Sequence, residues 1–146
     1  MDAAALTDTI ALGALSGMRS MAGPAALAFQ HGGVPRGLAA TLAAGEMLVD
    51  KMPFVGDRID AAPLMGRAVM GALAGGIVAH ERRTSLAAGA LIGAAAAVVM
   101  AHLAFHARKR LPLPGLLGGL FEDAIVVGAG AWFASRRSLN ANARGG

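Results

Sequence analysis

Residues Leu86 to Phe105 form an unbroken run of twenty without one Asp, Glu, Lys or Arg. A helix rises ~1.5 Å per residue, so such a run covers the ~30 Å hydrocarbon core of a bilayer. Four further apolar segments can be drawn, at about Ala3 to Phe29, Gly37 to Phe54, Ala61 to Ala79 and Leu113 to Ala134. None alternates with period two, and all are rich in Ala and Gly, which disfavours strands. The expected fold is an all-α membrane protein of about five short Gly/Ala-rich transmembrane helices. Gly37 to Phe54 is the shortest segment, and whether it crosses fully is left open.

Composition points the same way. Charged residues make up only 15% of the chain, against ~25% in soluble domains, too few to coat the outside of a water-soluble bundle. Aromatics are 4%, so a soluble core would be built from small side chains that bury little area. The net charge of +4 sits largely in short clusters between apolar segments: Arg82-Arg83, Arg108-Lys109-Arg110 and Arg136-Arg137. That pattern fits helix-flanking anchors against lipid headgroups rather than a nucleic-acid surface. The chain has no cysteine, which excludes disulfides, thiolate metal sites and a cysteine nucleophile. It also lacks a phosphate-binding P-loop and a G-x-S-x-G elbow, and no cofactor is expected. The start carries Asp2 and Asp8 without a basic n-region and does not read as a cleaved signal peptide. One polytopic domain is expected over residues 1–137, followed by a polar, disordered tail over 138–146.

The informative residues are the charges inside apolar segments: Arg19, Glu46, Asp50, Lys51, Arg67, Glu122 and Asp123. Each costs on the order of 2.5–3.5 kcal/mol to insert, and such residues usually face partners or wet cavities. Glu46 and Asp50, four apart, share a helix face. Glu122 and Asp123 point about 100° apart, so one of them can face a bundle interior. Arg19 lies in Ser16-Gly-Met-Arg-Ser-Met-Ala-Gly-Pro24, a density of Ser, Gly and Pro that predicts a broken or kinked first helix, with the break at Gly23-Pro24. Broken helices near the midplane are a device of transporters.

Two weaker patterns accompany these charges. Arg19 to Gly23 echoes Arg67 to Gly71, a candidate internal repeat. Five glycine pairs at spacing four, Gly13/Gly17, Gly33/Gly37, Gly71/Gly75, Gly89/Gly93 and Gly115/Gly119, slightly exceed the about three expected by chance and favour close helix packing.

Asp50, Asp57 and Asp60, with Lys51 and Arg58, form the densest polar cluster. Its carboxylates suit Mg²⁺ or Ca²⁺ if the chain holds a metal at all; a loop stapled by its own charges is the other reading. His102 and His106 lack a third ligand and read as interfacial polar residues, and Trp132 as an interfacial anchor.

Taken in order, Ser16-Gly-Met-Arg19-Ser with Gly23-Pro24, Asp50-Lys51-x-Pro53 with Asp57-Arg58, Arg67 with Gly71, and Glu122-Asp123 resemble a bacterial integral-membrane family catalogued as domain of unknown function four-one-two-six. The resemblance covers about residues 6 to 134. It implies a small polytopic protein of the bacterial inner membrane and supplies no substrate.

Three functional readings follow. The first is a transporter or channel-like protein binding an ion or small polar solute at Arg19, Ser20, Glu46, Asp50, Lys51, Asp57, Arg58, Arg67, Glu122 and Asp123. Five short helices enclose little space, so a homo-oligomer in the lipid bilayer is expected. The second is a structural protein whose buried charges only fix helix register. The third is a metal-dependent lipid-headgroup enzyme using Asp50, Asp57 and Asp60. Orientation is poorly specified. With five spans, one face holds Arg36, Arg82, Arg83, Arg136, Arg137 and Arg144, the other Lys51, Arg58, Arg108, Lys109 and Arg110. If Lys51 and Arg58 belong to a site, the rest favour a cytoplasmic C-terminus.

Overall fold

The computed structural model describes residues 1–31, 61–110 and 115–142. Five α-helices occupy them: α1 (Ala3–Met18), α2 (Ala22–His31), α3 (Ala61–Glu81), α4 (Leu86–Arg110) and α5 (Gly115–Asn142). No strand occurs among the described residues. These are not five one-to-one counterparts of the expected segments. The first segment divides into α1 and α2, and the segment Gly37 to Phe54 lies outside the described residues. α5 runs as far as Asn142, into the polar stretch that begins at Ser138.

The break between α1 and α2 begins at Arg19, four residues before the expected Gly23. Arg19 is extended (φ −142°, ψ 123°), although its N–H still donates to the Leu15 carbonyl at 3.0 Å. Helix resumes when the Ala22 N–H reaches the Arg19 carbonyl (2.9 Å) and the Ala25 N–H reaches Met21 (2.8 Å). Pro24 sits in the first turn of α2, where the N–H it lacks would have had no helical partner. The chain turns back on itself here. A Cβ on Gly23 would lie 2.5 Å from the Leu12 carbonyl oxygen, whereas a continuous helix would separate residues 12 and 23 by ~16 Å.

Glycine sets how closely the core helices approach. The pairs Gly13–Gly93 and Gly17–Ala97 run α1 parallel to α4, and Gly71–Gly93 and Gly75–Gly89 run α3 antiparallel to it. Gly93 is where all three meet: a Cβ on Gly13 or on Gly71 would stand 2.5 Å from the Gly93 carbonyl oxygen. On α4 the buried positions are Gly89, Gly93, Ala97 and Ala101, a strict four-residue ridge, while Leu91, Val99 and Leu103 on the opposite side are exposed. Met65, Val69, Leu73 and Ile77 make a similar exposed stripe on α3. Here small side chains face inward and large apolar ones outward.

The remaining helices form an outer layer. Among the described helices, α2 packs on α1 and α3, and α5 lies mainly against α2. Leu12, Leu15, Ala22, Ala26, Leu27, Ala74, Val78, Val126 and Phe133 close the apolar core between them. Among the described residues two helices, α3 with 21 residues and α4 with 25, are by length and composition able to cross a membrane.

Local caps fix the end of the bundle where α1 starts. The Asp2 carboxylate accepts from the Ala5 N–H at 2.7 Å, and the Ser85 hydroxyl accepts from the Ala88 N–H at 3.3 Å, each an N-cap. Arg82 ties α3 to α1 through Asp8 (3.0 Å), with Asp2 at 3.9 Å. α3 ends in a Schellman motif, with the Thr84 N–H on Ala79 and the Arg83 N–H on His80. Arg83 occupies its left-handed position at φ 52°, where a Cβ costs roughly 1–2 kcal/mol. Arg83→Gly is therefore expected to raise stability by about 1 kcal/mol, read as a higher unfolding midpoint.

Candidate functional site

The helix break delivers Arg19 into the bundle. Only 2% of Arg19 is exposed, and its Nε and Nη2 both donate to Oδ1 of Asp123, at 3.0 and 2.5 Å. Asp123 is 13% exposed and lies at the middle of the apolar part of α5. Of the two adjacent acids, one of which is expected to face the bundle interior, Asp123 does so. The side chain of Glu122 lies outside the described set.

Arg67, inside α3, is also buried, at 3% exposure. The glycine registers place it on the same level as Arg19. Gly71 meets Gly93, so Arg67, one turn earlier on an antiparallel helix, stands near the level of Ala97. Gly17 meets Ala97 on a parallel helix, which puts Arg19 beside Val99. Arg19, Arg67 and Asp123 thus share one layer, close to the middle of the charge-free part of α4. Ser20 lies half-buried in the break itself. The other predicted site residues, Glu46, Asp50, Lys51, Asp57 and Arg58, and the candidate metal ligand Asp60, lie outside the described residues.

Two further polar side chains line the buried face of α1. Ser16 is fully buried and donates its hydroxyl to the Leu12 carbonyl at 3.1 Å, the back-bonding that helical serines adopt. Thr9 is fully buried too, and its Oγ1 has no hydrogen-bond partner among the described residues. In the sequence Ser16 stands out only as part of the break motif, and Thr9 not at all. The signal was their place with Gly13 at spacings of four and three, on one helix face.

The proposed repeat does not extend to local conformation. Arg19 sits in an extended break, whereas Arg67 is in mid-helix. His102 bonds through Nδ1 to the Val98 carbonyl at 2.9 Å. Among the described residues, no group of three His, Cys, Asp or Glu side chains is placed to hold a metal.

A guanidinium fork and a carboxylate in an apolar bundle offer two kinds of chemistry. A carboxylate or oxyanion competes with Asp123 for Arg19, and a proton or cation competes with Arg19 for Asp123. No family model, curated protein or solved structure matches this chain. The family resemblance seen in the sequence thus stands on its residue motifs alone.

Proposed function

We propose that the chain is a multi-pass membrane protein, related to the family it resembles, that binds an ion or small polar solute at the Arg19–Asp123–Arg67 layer and passes it across the bilayer. The observation that carries this reading is the Arg19–Asp123 pair, buried across a helix break. Replacing a buried ion pair by well-packed apolar residues is often neutral or stabilising, so packing alone gives little reason to retain one here. Support for the membrane setting comes from α3 and α4 and from the large apolar side chains turned outward, among them Leu91 at 72% and Met65 at 67% exposure. Contiguous apolar surface of this kind is rare on soluble monomers. A homo-oligomer in the bacterial inner membrane, C-terminus cytoplasmic, completes the proposal.

A second reading has an observation in its favour: Arg19 is almost wholly buried and already paired, as a register-setting contact would be. Flux separates the two. Liposomes holding the protein and a pH- or anion-sensitive dye are challenged with gradients of protons, chloride and small carboxylates. The transport reading expects protein-dependent flux of at least one species, reduced at least tenfold in Arg19→Gln and Asp123→Asn proteins that still insert. The exchanged pair, Arg19→Asp with Asp123→Arg, is expected to recover folding and not flux. Flux undiminished in an inserted Arg19→Gln protein would overturn the proposal.

A further inference from the structure

We infer that the corner between the end of α4 and the start of α5 binds the headgroup of an anionic glycerophospholipid. The inference rests on the membrane reading above and uses none of the buried layer.

The last turn of α4 is Arg108-Lys109-Arg110, where cations also complement the negative end of the helix. The Lys109 Nζ lies 4.2 Å from the ring centroid of Phe105, one turn earlier, and His106 stacks edge-on against the same ring at 5.4 Å. The ammonium is thereby held at the boundary of the apolar surface rather than directed away from it. Arg110 is exposed and lies seven residues beyond Leu103, on the exposed face that carries Leu91 and Val99. That face supplies a track for an acyl chain leading to a cation at the position of the phosphate.

Arg108 fixes the corner. Its Nη2 is 3.2 Å from where a Cβ on Gly119 would stand, and its Nε 3.7 Å from that of Gly118. The guanidinium thus lies close against Gly119, where a Cβ would crowd it, and a Cβ on Gly118 would be in ordinary contact with it. Leu117, Leu120 and Phe121 are exposed beside them and extend the apolar surface onto α5.

Charge complementarity selects an anionic lipid over a zwitterionic one. No Asp or Glu occurs between Glu81 and Glu122, so α4 and the first turns of α5 contribute basic residues and no acidic ones. In the α3–α4 turn Arg82 is engaged by Asp8 and Asp2 and stands next to Glu81. Lys109 and Arg110 can each donate to a phosphodiester oxygen. A basic residue near an anionic surface contributes a factor of about five, and the two together about thirtyfold.

The test uses the full chain. Because the protein has no cysteine, Leu103→Cys gives one labelling site on the exposed face of α4. The fluorescently labelled protein is reconstituted in bilayers containing brominated phosphatidylcholine or brominated phosphatidylglycerol, and quenching gives the relative association of each lipid. Phosphatidylglycerol is expected to be preferred. Lys109→Gln with Arg110→Gln should bring the ratio close to one, a loss of up to about thirtyfold, while Arg83→Gln leaves it unchanged. Equal quenching by the two lipids in the unsubstituted chain, or a preference that survives the double substitution, would overturn the inference. Quenching by neither lipid would overturn the membrane reading and this inference with it.

Discussion

Replacing Gly93 by leucine is expected to cost at least about 3 kcal/mol and to leave little folded protein. Overpacking a core typically costs ~1–3 kcal/mol because side chains and backbone must shift. At Gly93 the added Cβ would itself meet the Gly71 carbonyl oxygen and stand 3.2 Å from the Gly75 Cα. Those obstacles are backbone, so no change of rotamer relieves them. Separating α3 from α4 would also disturb α1, which packs on the same residue. Gly66→Ala provides the contrast. Nothing lies within 4 Å of a Cβ there, and alanine in a helix interior is favoured over glycine by roughly 0.5–1 kcal/mol. Unfolding midpoints of the two variants should therefore move in opposite directions. A Gly93→Leu protein as stable as the parent would show that the three helices do not meet at this residue.

The second large effect is at the Arg19–Asp123 pair. Arg19→Ala or Asp123→Ala alone is expected to cost about 3–5 kcal/mol, because each leaves a buried charge without its main partner. Arg19→Met together with Asp123→Leu should recover most of that loss. The two single effects should thus be far from additive, as they are for residues in direct contact. Additive losses would mean that the two side chains act independently, and the bridge would not be the tie between α1 and α5. Recovery of stability in the apolar double variant without recovery of flux would separate the fold from the function.

Parts of this architecture were legible in the sequence for identifiable reasons. The charge-free run beginning at Leu86 marks the start of α4 correctly. The helix continues five residues past Phe105 because basic residues suit a helix C-terminus. Glycines at spacing four identified the contact faces of α1, α3 and α4. The spacing specifies a face and not a partner, so the meeting of Gly13 and Gly71 at Gly93 was out of reach.

The break was misplaced at Gly23-Pro24 because proline is a general helix breaker. In the first turn of α2 it interrupts nothing, and the chain departs from helix at Arg19. Of the charges marked by insertion cost, Arg19 and Arg67 are buried and Asp123 is 13% exposed. The meeting of Arg19 with Asp123 was not legible. Arg19 and Asp123 are 104 residues apart, and nothing local links them. The level shared by Arg19 and Arg67 follows from the glycine registers, which are a tertiary property.

Thiol accessibility in sealed membrane vesicles tests the central claim, a lipid-covered bundle enclosing a polar layer that solute can reach, most directly. Three single-cysteine proteins suffice: Leu91→Cys and Val99→Cys on the outer face of α4, and Ser20→Cys in the helix break beside Arg19. Each is treated with a charged, membrane-impermeant maleimide. Lipid over the outer face predicts that Leu91→Cys and Val99→Cys stay unmodified, although both positions are exposed in the single chain, while Ser20→Cys reacts. Rapid labelling at Leu91 and Val99 would contradict the membrane setting. An unreactive Ser20→Cys in a folded protein would contradict a layer open to solute and leave Arg19–Asp123 as a closed structural pair.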